Sequence, residues 1–256
     1  MRGNTHYMNN TLSGTDAIFA KQEKNTRKFS FRKETLYFFP LVFQTLIWIP
    51  TRFVFKFFLH FKIKGVENLH GIKKPVIFAV NHSSEWDPVL VPAALPFLSR
   101  LMPVFYTSRE RGFYNKNGIQ SLLYGGLFFK IWGAYPVKVG MKNYERSLRQ
   151  HIDILESVAG SICFFPEGAK TRDGNLLPAK GGISYLAHRT KATIVPVAIH
   201  GHFGMRKTDF FLRKKKVTVT FGEAIPPQDL FEERYYSPHD HKEIAQKVMQ
   251  KIQRFL

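Results

Sequence analysis

The chain has 256 residues, which suits one sizeable domain and is short for two. Lys and Arg total 38 against 19 Asp and Glu, a formal net charge of +19. This excess predicts a polyanionic partner, such as nucleic acid, a phosphorylated substrate or an anionic lipid surface. The single cysteine, Cys163, excludes an intrachain disulfide and favours a cytosol-facing protein.

The first quarter of the chain divides into a polar tail and an apolar segment. Residues 1–33 are basic and polar, and we interpret them as a flexible tail. Residues 34–63 are rich in Phe, and their apolar run at 36–49 is shorter than the ~20 residues of a simple membrane span. Because Pro50 interrupts its extension, we predict a pair of interfacial helices that anchor the chain on anionic headgroups, with one transmembrane helix as the alternative.

Neither nucleic acid nor a metal is predicted as a partner. The sequence has no zinc-finger spacing, Gly-rich RNA signature or basic helix with interleaved aromatic residues. Its ten histidines form no pair with ligand spacing and acidic partners. His200 and His202 flank a glycine, and His239 and His241 flank Asp240, so we interpret these four as surface histidines.

The rest of the chain, residues 64–256, shows short apolar runs that alternate with helical patterns. The runs PVIFAV, MPVFY, AYPV, SICFF, TIVPVAI and VTVTF are typical of strands. Residues 143–155 have helical spacing, and Ser237 with Pro238 predicts the start of a C-terminal helix. The fold class is therefore α/β, with a mixed, mostly buried sheet that helices flank.

The segment NHSSEWDP, residues 81–88, directly follows the strand PVIFAV. Loops at the carboxyl ends of strands are where α/β sheets place their functional sites. A turn that opens a helix can bring the carboxylate of Asp87 onto the imidazole of His82, fixing its tautomer and stabilising its protonated form. The other ring nitrogen of His82 would then be free to act as a general base.

A second segment, FFPEGAKTRDG at residues 164–174, follows the strand SICFF. Its basic residues Lys170 and Arg172 are suited to a phosphate group. Glu167 precedes them, and two roles remain open for it from the residues alone. It would either hold an acceptor hydroxyl or neutralise one of the two cations.

With these motifs the sequence resembles the glycerolipid acyltransferase family, which includes the 1-acylglycerol-3-phosphate acyltransferases, over about residues 64–227. NHSSEWD is similar to the family's His-four-residues-Asp block, FPEGAKTRDG to FPEGTRSRDG, and IVPVAI to the last block. The resemblance implies a general base, His82, with Asp87 orienting it. It also implies a substrate site that contains Glu167, Gly168, Lys170, Arg172 and Lys138.

One block departs from the family pattern. GAYPVKVG is similar to GAFPVDRG, but Val139 stands where the family usually has a phosphate-contacting arginine, and Lys138 replaces the neighbouring acidic residue. Lys170 also takes the place of a family arginine. Because lysine is a point charge without the bidentate fork of arginine, a weaker or re-aimed phosphate clamp is expected.

The resemblance implies an O-acyltransferase of phospholipid biosynthesis at the cytoplasmic face of a membrane, peripheral or monotopic. The expected reaction moves a fatty acyl group from acyl-CoA or acyl carrier protein to 1-acylglycerol-3-phosphate, giving phosphatidic acid without a cofactor. Another lyso-lipid acceptor and a non-enzymatic lipid-binding relative are the alternatives. A covalent route is disfavoured, because Cys163 lies in an apolar run and Ser83 and Ser84 lack a Gly-x-Ser-x-Gly elbow.

Overall fold

Seven strands form the sheet at the centre of the computed structural model, which describes residues 37–108, 131–138, 140 and 143–256. The predicted tail at 1–33 and Val139 lie outside these described residues. The strand order is β1-β7-β6-β2-β5-β3-β4. All neighbouring pairs are parallel except β6 with β7, so the sheet is mixed, as predicted. The strands are β1 Lys62–Lys64, β2 Val76–Val80, β3 Val104–Ser108, β4 Ala134–Pro136, β5 Ser161–Phe164, β6 Thr193–His200 and β7 Thr218–Phe221.

Helices cover both faces of the sheet. Strand β2 is buried along its whole length, and its alternate residues enter two separate apolar cores. Phe78 packs in the core that contains helices α1 and α2, whereas Ile77 packs in the core that contains α4, α5 and α7. The helices are α1 Tyr37–Phe58, α2 Asp87–Ala94, α3 Tyr144–Ser147, α4 Arg149–Glu156, α5 Gly182–Thr190, α6 Lys207–Phe211 and α7 Pro238–Gln253.

The segment predicted as a pair of helices is one continuous helix over its described part, α1, so that prediction was wrong. A proline in a helix interior costs about 3 kcal/mol, which made Pro50 look like a boundary. Packing on the domain offsets this cost. The side chain of Gln44 exchanges two hydrogen bonds with the backbone of Val104, at 2.7 and 2.9 Å, and Arg52 donates to the carbonyl of Ala93 at 2.6 Å.

The opposite face of α1 is apolar and exposed. Its large side chains recur every three or four residues, so they form one stripe along the helix. Leu46 and Phe53 are each 71% exposed, although they are among the most apolar residues in the chain. The stripe consists of Phe38, Val42, Leu46, Ile49, Phe53 and Phe57. Helix α1 is long and apolar enough to cross a membrane by length and composition.

Candidate active site

The candidate site lies at the carboxyl ends of three neighbouring parallel strands. Strand β2 lies between β6 and β5, and all three run in the same direction. The loop that leaves β2 carries His82, and the loop that leaves β5 carries Glu167. Asn81 joins the β2 exit to β6, because its side chain accepts from the N–H of Ile199 at 2.7 Å and donates to its carbonyl at 3.0 Å. The predicted location of the site at strand exits agrees with this arrangement.

His82 and Asp87 are in contact, at the geometry that their spacing suggested. Nδ1 of His82 lies 2.8 Å from Oδ2 of Asp87, which is the first residue of α2. Phe165 stacks on the imidazole ring with centroids 4.1 Å apart, so the ring is held in one plane. The side chain of His82 is 19% exposed, and its Nε2 has no hydrogen-bond partner among the described residues. That nitrogen is therefore available to a substrate.

The carboxylate of Asp87 is fully buried and hydrogen-bonded. Besides His82, its Oδ2 accepts from the backbone N–H groups of Ser83 and Ser84, at 2.8 and 3.0 Å. Burial by itself raises the pKa of Asp87, but hydrogen bonds from His202 and His82 outweigh it and hold the pKa below its usual value. The group is thus an anion at neutral pH, and its contact with Nδ1 orients the imidazole of His82.

His202 also contacts Asp87, although its position in the sequence did not indicate this contact. Its Nε2 lies within hydrogen-bonding distance of Oδ1 of Asp87, and its side chain is 1% exposed. The interpretation of His202 as a surface residue was therefore wrong, and so was that of His241, which is 3% exposed in the core beside α5. The cause in both cases is tertiary packing, because His202 meets a residue 115 positions away in the chain.

Glu167 accepts two backbone hydrogen bonds and forms no ion pair with a cation of the described residues. One of its carboxylate oxygens accepts from the N–H of His82 at 2.7 Å, and the other accepts from the N–H of Leu177 at 2.8 Å. Burial raises the pKa of Glu167, and the two hydrogen bonds only partly oppose this effect. These two hydrogen bonds connect the backbone of His82 to the loop that leaves β5.

A lysine that the sequence analysis did not single out lies over Gly168. This glycine has a φ of +68°, a left-handed conformation that favours glycine. A Cβ added there would lie 3.0 Å from Nζ of Lys180, so the ammonium group lies directly over the glycine. The N–H of Lys180 donates to the carbonyl of Pro166 at 2.8 Å, so Lys180 lies against the segment FFPEGAKTRDG.

The predicted basic residues are exposed, and they differ in their partners. Lys170 forms an ion pair with Glu85, a residue of the loop that leaves β2. Arg172 is exposed and has no ion pair within the described ranges. Lys138 follows β4, three strands from β2, so about 14 Å of sheet separates it from the exit that carries His82. The N–H of Thr171 donates to the carbonyl of His82 at 2.9 Å, so the segment with Lys170 and Arg172 passes close to His82, while Lys138 lies further along the same edge.

The contacts of Ser83 and Cys163 do not favour a covalent nucleophile. Nε2 of His202 contacts two oxygens, Oγ of Ser83 at 3.1 Å and Oδ1 of Asp87. A Ser-His-Asp triad uses the two nitrogens of its imidazole separately, so these three residues do not form one. The thiol of Cys163 is fully buried, and burial raises its pKa well above the usual value.

The chain is similar in sequence to known proteins. The 1-acyl-sn-glycerol-3-phosphate acyltransferase of Limnanthes douglasii is 30% identical over 170 residues, which cover 65% of this chain and 53% of the relative. The human enzyme named 1-acyl-sn-glycerol-3-phosphate acyltransferase beta is 29% identical over 191 residues, 72% of this chain and 62% of its own length. The chain spans about half the length of the plant relative.

A solved structure has the same fold. The crystal structure of the 1-acyl-sn-glycerophosphate (LPA) acyltransferase from Thermotoga maritima matches with a TM-score of 0.53, covering 82% of this chain and 81% of that one. Its sequence identity is 18%, so the match concerns the fold alone. The family model named Acyltransferase matches residues 60–200, a range that contains the exits of β2 and β5. The chain therefore belongs to the Acyltransferase family.

Proposed function

We propose that this chain is an O-acyltransferase that makes phosphatidic acid. It transfers a fatty acyl group from a thioester donor, acyl-CoA or acyl carrier protein, to the free hydroxyl of 1-acylglycerol-3-phosphate. The observation that carries this proposal is the geometry of His82. Its Nδ1 is held 2.8 Å from a buried carboxylate, while its Nε2 is open to a substrate.

The reaction follows from that geometry. Nε2 of His82 takes the proton of the acceptor hydroxyl while the hydroxyl oxygen attacks the thioester carbonyl. Asp87 stabilises the imidazolium that forms. When the tetrahedral intermediate collapses, the C–O bond of the new ester is kept, the C–S bond breaks, and the thiolate leaves with the proton from His82. The base returns to its starting state, and no acyl-enzyme or cofactor is needed.

The cations beside the site support an acceptor that carries a phosphate group. Lys170, Arg172 and Lys180 lie on the loop that leaves β5 or fold back to it. Helix α2 and strand β2 contain no cation, so the positive charge beside His82 comes from other elements, and these three residues contribute to it. Lysine holds a phosphate by charge rather than by a bidentate fork, so another lyso-lipid with an anionic headgroup is the second candidate.

The exposed stripe on α1 supports membrane association, and we propose the cytoplasmic face of the bilayer as its location. Contiguous exposed apolar area of this kind marks an interaction surface. The opposite face of the helix packs on the domain between Gln44 and Arg52. The side chains of Gln44, Trp48 and Arg52 donate hydrogen bonds to backbone carbonyls of the domain. If α1 crossed the bilayer, the domain docked along it would have to enter the lipid as well. A monotopic helix that lies in one leaflet avoids this cost.

The same surface continues into a basic segment, which supports an anionic membrane. Phe211 and Leu212 are 66% and 63% exposed, and Phe211 contacts Phe58 at the end of α1. Arg213 lies over the ring of Phe57 at 4.4 Å and donates to its carbonyl. Three lysines follow at 214–216. Apolar side chains with adjacent cations are the combination that binds anionic headgroups.

A panel of acceptors tests the substrate assignment. Purified protein in vesicles is given labelled acyl-CoA or acyl carrier protein and one of several lyso-lipids that differ in headgroup. Highest transfer to 1-acylglycerol-3-phosphate is expected. Highest transfer to another lyso-lipid would replace the acceptor and keep the reaction class. No transfer to any acceptor, by protein that binds the vesicles and unfolds cooperatively, would favour a lipid-binding relative without activity.

A further inference from the structure

His202 occupies the side of Asp87 opposite to His82. The two imidazoles contact different oxygens of one carboxylate: Nδ1 of His82 contacts Oδ2, and Nε2 of His202 contacts Oδ1. His202 follows strand β6 after one intervening residue, Gly201, which has a φ of +93°. A Cβ at Gly201 would collide with the carbonyl oxygen of Lys216, so the turn that aims His202 inward requires a glycine.

Among the described residues, His202 is the partner of Oδ1. The other oxygen of Asp87 accepts from His82, Ser83 and Ser84, whereas Oδ1 has the contact with His202. Asp87 is 0% exposed, so bulk water does not replace a lost partner. A buried carboxylate oxygen without a donor is costly, and the side chain would rotate to relieve it. That rotation would move the oxygen that His82 contacts.

The unpaired nitrogen of His202 indicates its tautomer. Nδ1 of His202 is buried and has no hydrogen-bond partner in the described part of the chain. An imidazolium would place an unsatisfied N–H there, which carries a desolvation penalty. The neutral tautomer with hydrogen on Nε2 leaves only a lone pair unpaired and still donates to Asp87. His202 thus acts as a donor to the carboxylate and does not exchange a proton with substrate.

We infer that His202 is a positioning residue that fixes the orientation and the proton affinity of Asp87, and through Asp87 the basicity of His82. The inference rests on the proposed function, in which His82 is the general base. A donor at Oδ1 withdraws charge from the carboxylate, so less charge is available to the imidazole on Oδ2. Without that donor, Oδ2 of Asp87 carries more negative charge and stabilises the imidazolium of His82 more strongly. The pKa of His82 therefore rises. The base then takes the hydroxyl proton only at higher pH.

Other titratable groups face this cluster and must stay the same in the test. Glu167 contacts the backbone of His82, and Cys163 lies on the neighbouring strand β5 close enough to Asp87 for the carboxylate to raise its pKa further. Tyr106 lies next to Cys163 and is buried as well. None of these three contacts His202 directly, so a substitution at His202 leaves them in place.

A matched pair of amide substitutions tests the role. In His202→Gln the side-chain N–H₂ reaches the position of Nε2 and can still donate to Asp87, whereas the shorter side chain of His202→Asn cannot. We expect His202→Gln to keep kcat within about threefold of the wild type and His202→Asn to lose about tenfold or more, with KM within about twofold in both. The lower limb of the pH–rate profile is expected to move to higher pH in His202→Asn alone.

A measurement independent of turnover separates this inference from the proposed function. ¹⁵N NMR of the protein with labelled histidines gives the titration of His82, which its loss from the His82→Ala spectrum assigns. A pKa of His82 that is higher in His202→Asn than in His202→Gln supports the inference, even if the wild type transfers no acyl group and the proposed function fails. Equal pKa values and equal kcat in the two variants would overturn it. If His202→Asn does not fold, His202→Met supplies the variant without a donor.

Discussion

Lys170 forms an ion pair with Glu85, which joins the loop that leaves β5 to the loop that leaves β2. Both side chains are well exposed, at 42% and 66%. One cation of the proposed phosphate site is therefore matched by an acid of the first motif before a substrate arrives. A phosphorylated acceptor must compete with Glu85 for this ammonium.

Removing that competitor should strengthen acceptor binding. Glu85→Gln is expected to lower KM for 1-acylglycerol-3-phosphate by about two- to fivefold with little change in kcat, because exposed ion pairs contribute ~0.2–1 kcal/mol. Steady-state kinetics at low salt measure the effect, and high salt should reduce it. Glu243→Gln, at an exposed position on α7, is the control. An unchanged or higher KM in Glu85→Gln would remove Lys170 from the acceptor site.

Replacing Glu167 should affect folding and turnover together. In Glu167→Gln one oxygen still accepts a backbone N–H, but the new N–H₂ group faces the other N–H donor. A loss of about 1–3 kcal/mol in the free energy of unfolding is expected, with a lower kcat because the backbone at His82 is no longer fixed. Urea unfolding and kinetics measure the two effects. If Glu167→Gln has the same free energy of unfolding as the wild type, the hydrogen bonds of Glu167 at 2.7 and 2.8 Å contribute little to stability.

A buried histidine predicts part of the acid sensitivity of the fold. His151 on α4 is fully buried, and burial lowers its pKa from 6.5 to about 4. Between these values the unfolded chain binds the proton and the folded one does not, so stability is complete above pH ~6.5 and falls as the pH drops towards ~4. His151→Leu should remove up to about 3 kcal/mol of this loss.

Urea unfolding at a series of pH values checks this prediction. The control is His239→Leu, whose side chain is 79% exposed. The control should keep the wild-type dependence, while His151→Leu flattens it between pH ~6.5 and ~4. If His151→Leu and the wild type lose the same free energy over this range, other groups cause the acid sensitivity.

The apolar stripe on α1 predicts where the protein meets lipid. A triple variant with Leu46→Gln, Ile49→Gln and Phe53→Gln removes side chains that are 61% to 71% exposed, so the fold should survive. Binding to vesicles is expected to fall by at least about tenfold, since each side chain contributes on the order of 1 kcal/mol when it enters the interface. Flotation with vesicles measures the bound fraction.

A control and a lipid comparison complete this test. Tyr235→Gln replaces another exposed apolar side chain, 85% exposed, that lies outside the stripe, and it should bind like the wild type. Vesicles with anionic lipid should bind more wild-type protein than zwitterionic vesicles, because residues 213–216 are basic. Equal binding of the triple variant and the wild type would show that another surface makes the contact.

The sequence predicted the parts of this molecule that local rules determine. The runs that became β2 and β5 are continuous and apolar, as buried parallel strands are, and the polar motifs after them lie at one edge of the sheet. Ser237 and Pro238 predicted the start of α7, where Ser237 accepts from the N–H of Asp240 as an N-cap. His82 and Asp87 are five positions apart, so a single turn brings them together.

Features that depend on distant parts of the chain were not predictable in the same way. Pro50 is a helix breaker by local rules, and α1 continues through it because Gln44 and Arg52 bond to other elements. His202 follows β6 in a pattern that also occurs on surfaces, and its burial depends on the position of α2. Lys180 lies outside the segment FFPEGAKTRDG, and the folding of the chain after that segment places its side chain over Gly168.

The most direct test of the central claim compares His82→Ala with the wild type in a single-turnover assay. Labelled acyl-CoA or acyl carrier protein and 1-acylglycerol-3-phosphate are mixed with excess protein on vesicles, and His239→Ala is the matched control. We expect a rate about 10²- to 10⁴-fold lower in His82→Ala and an unchanged rate in the control, with equal vesicle binding. A rate in His82→Ala within about threefold of the wild type would contradict the assignment of His82 as the general base.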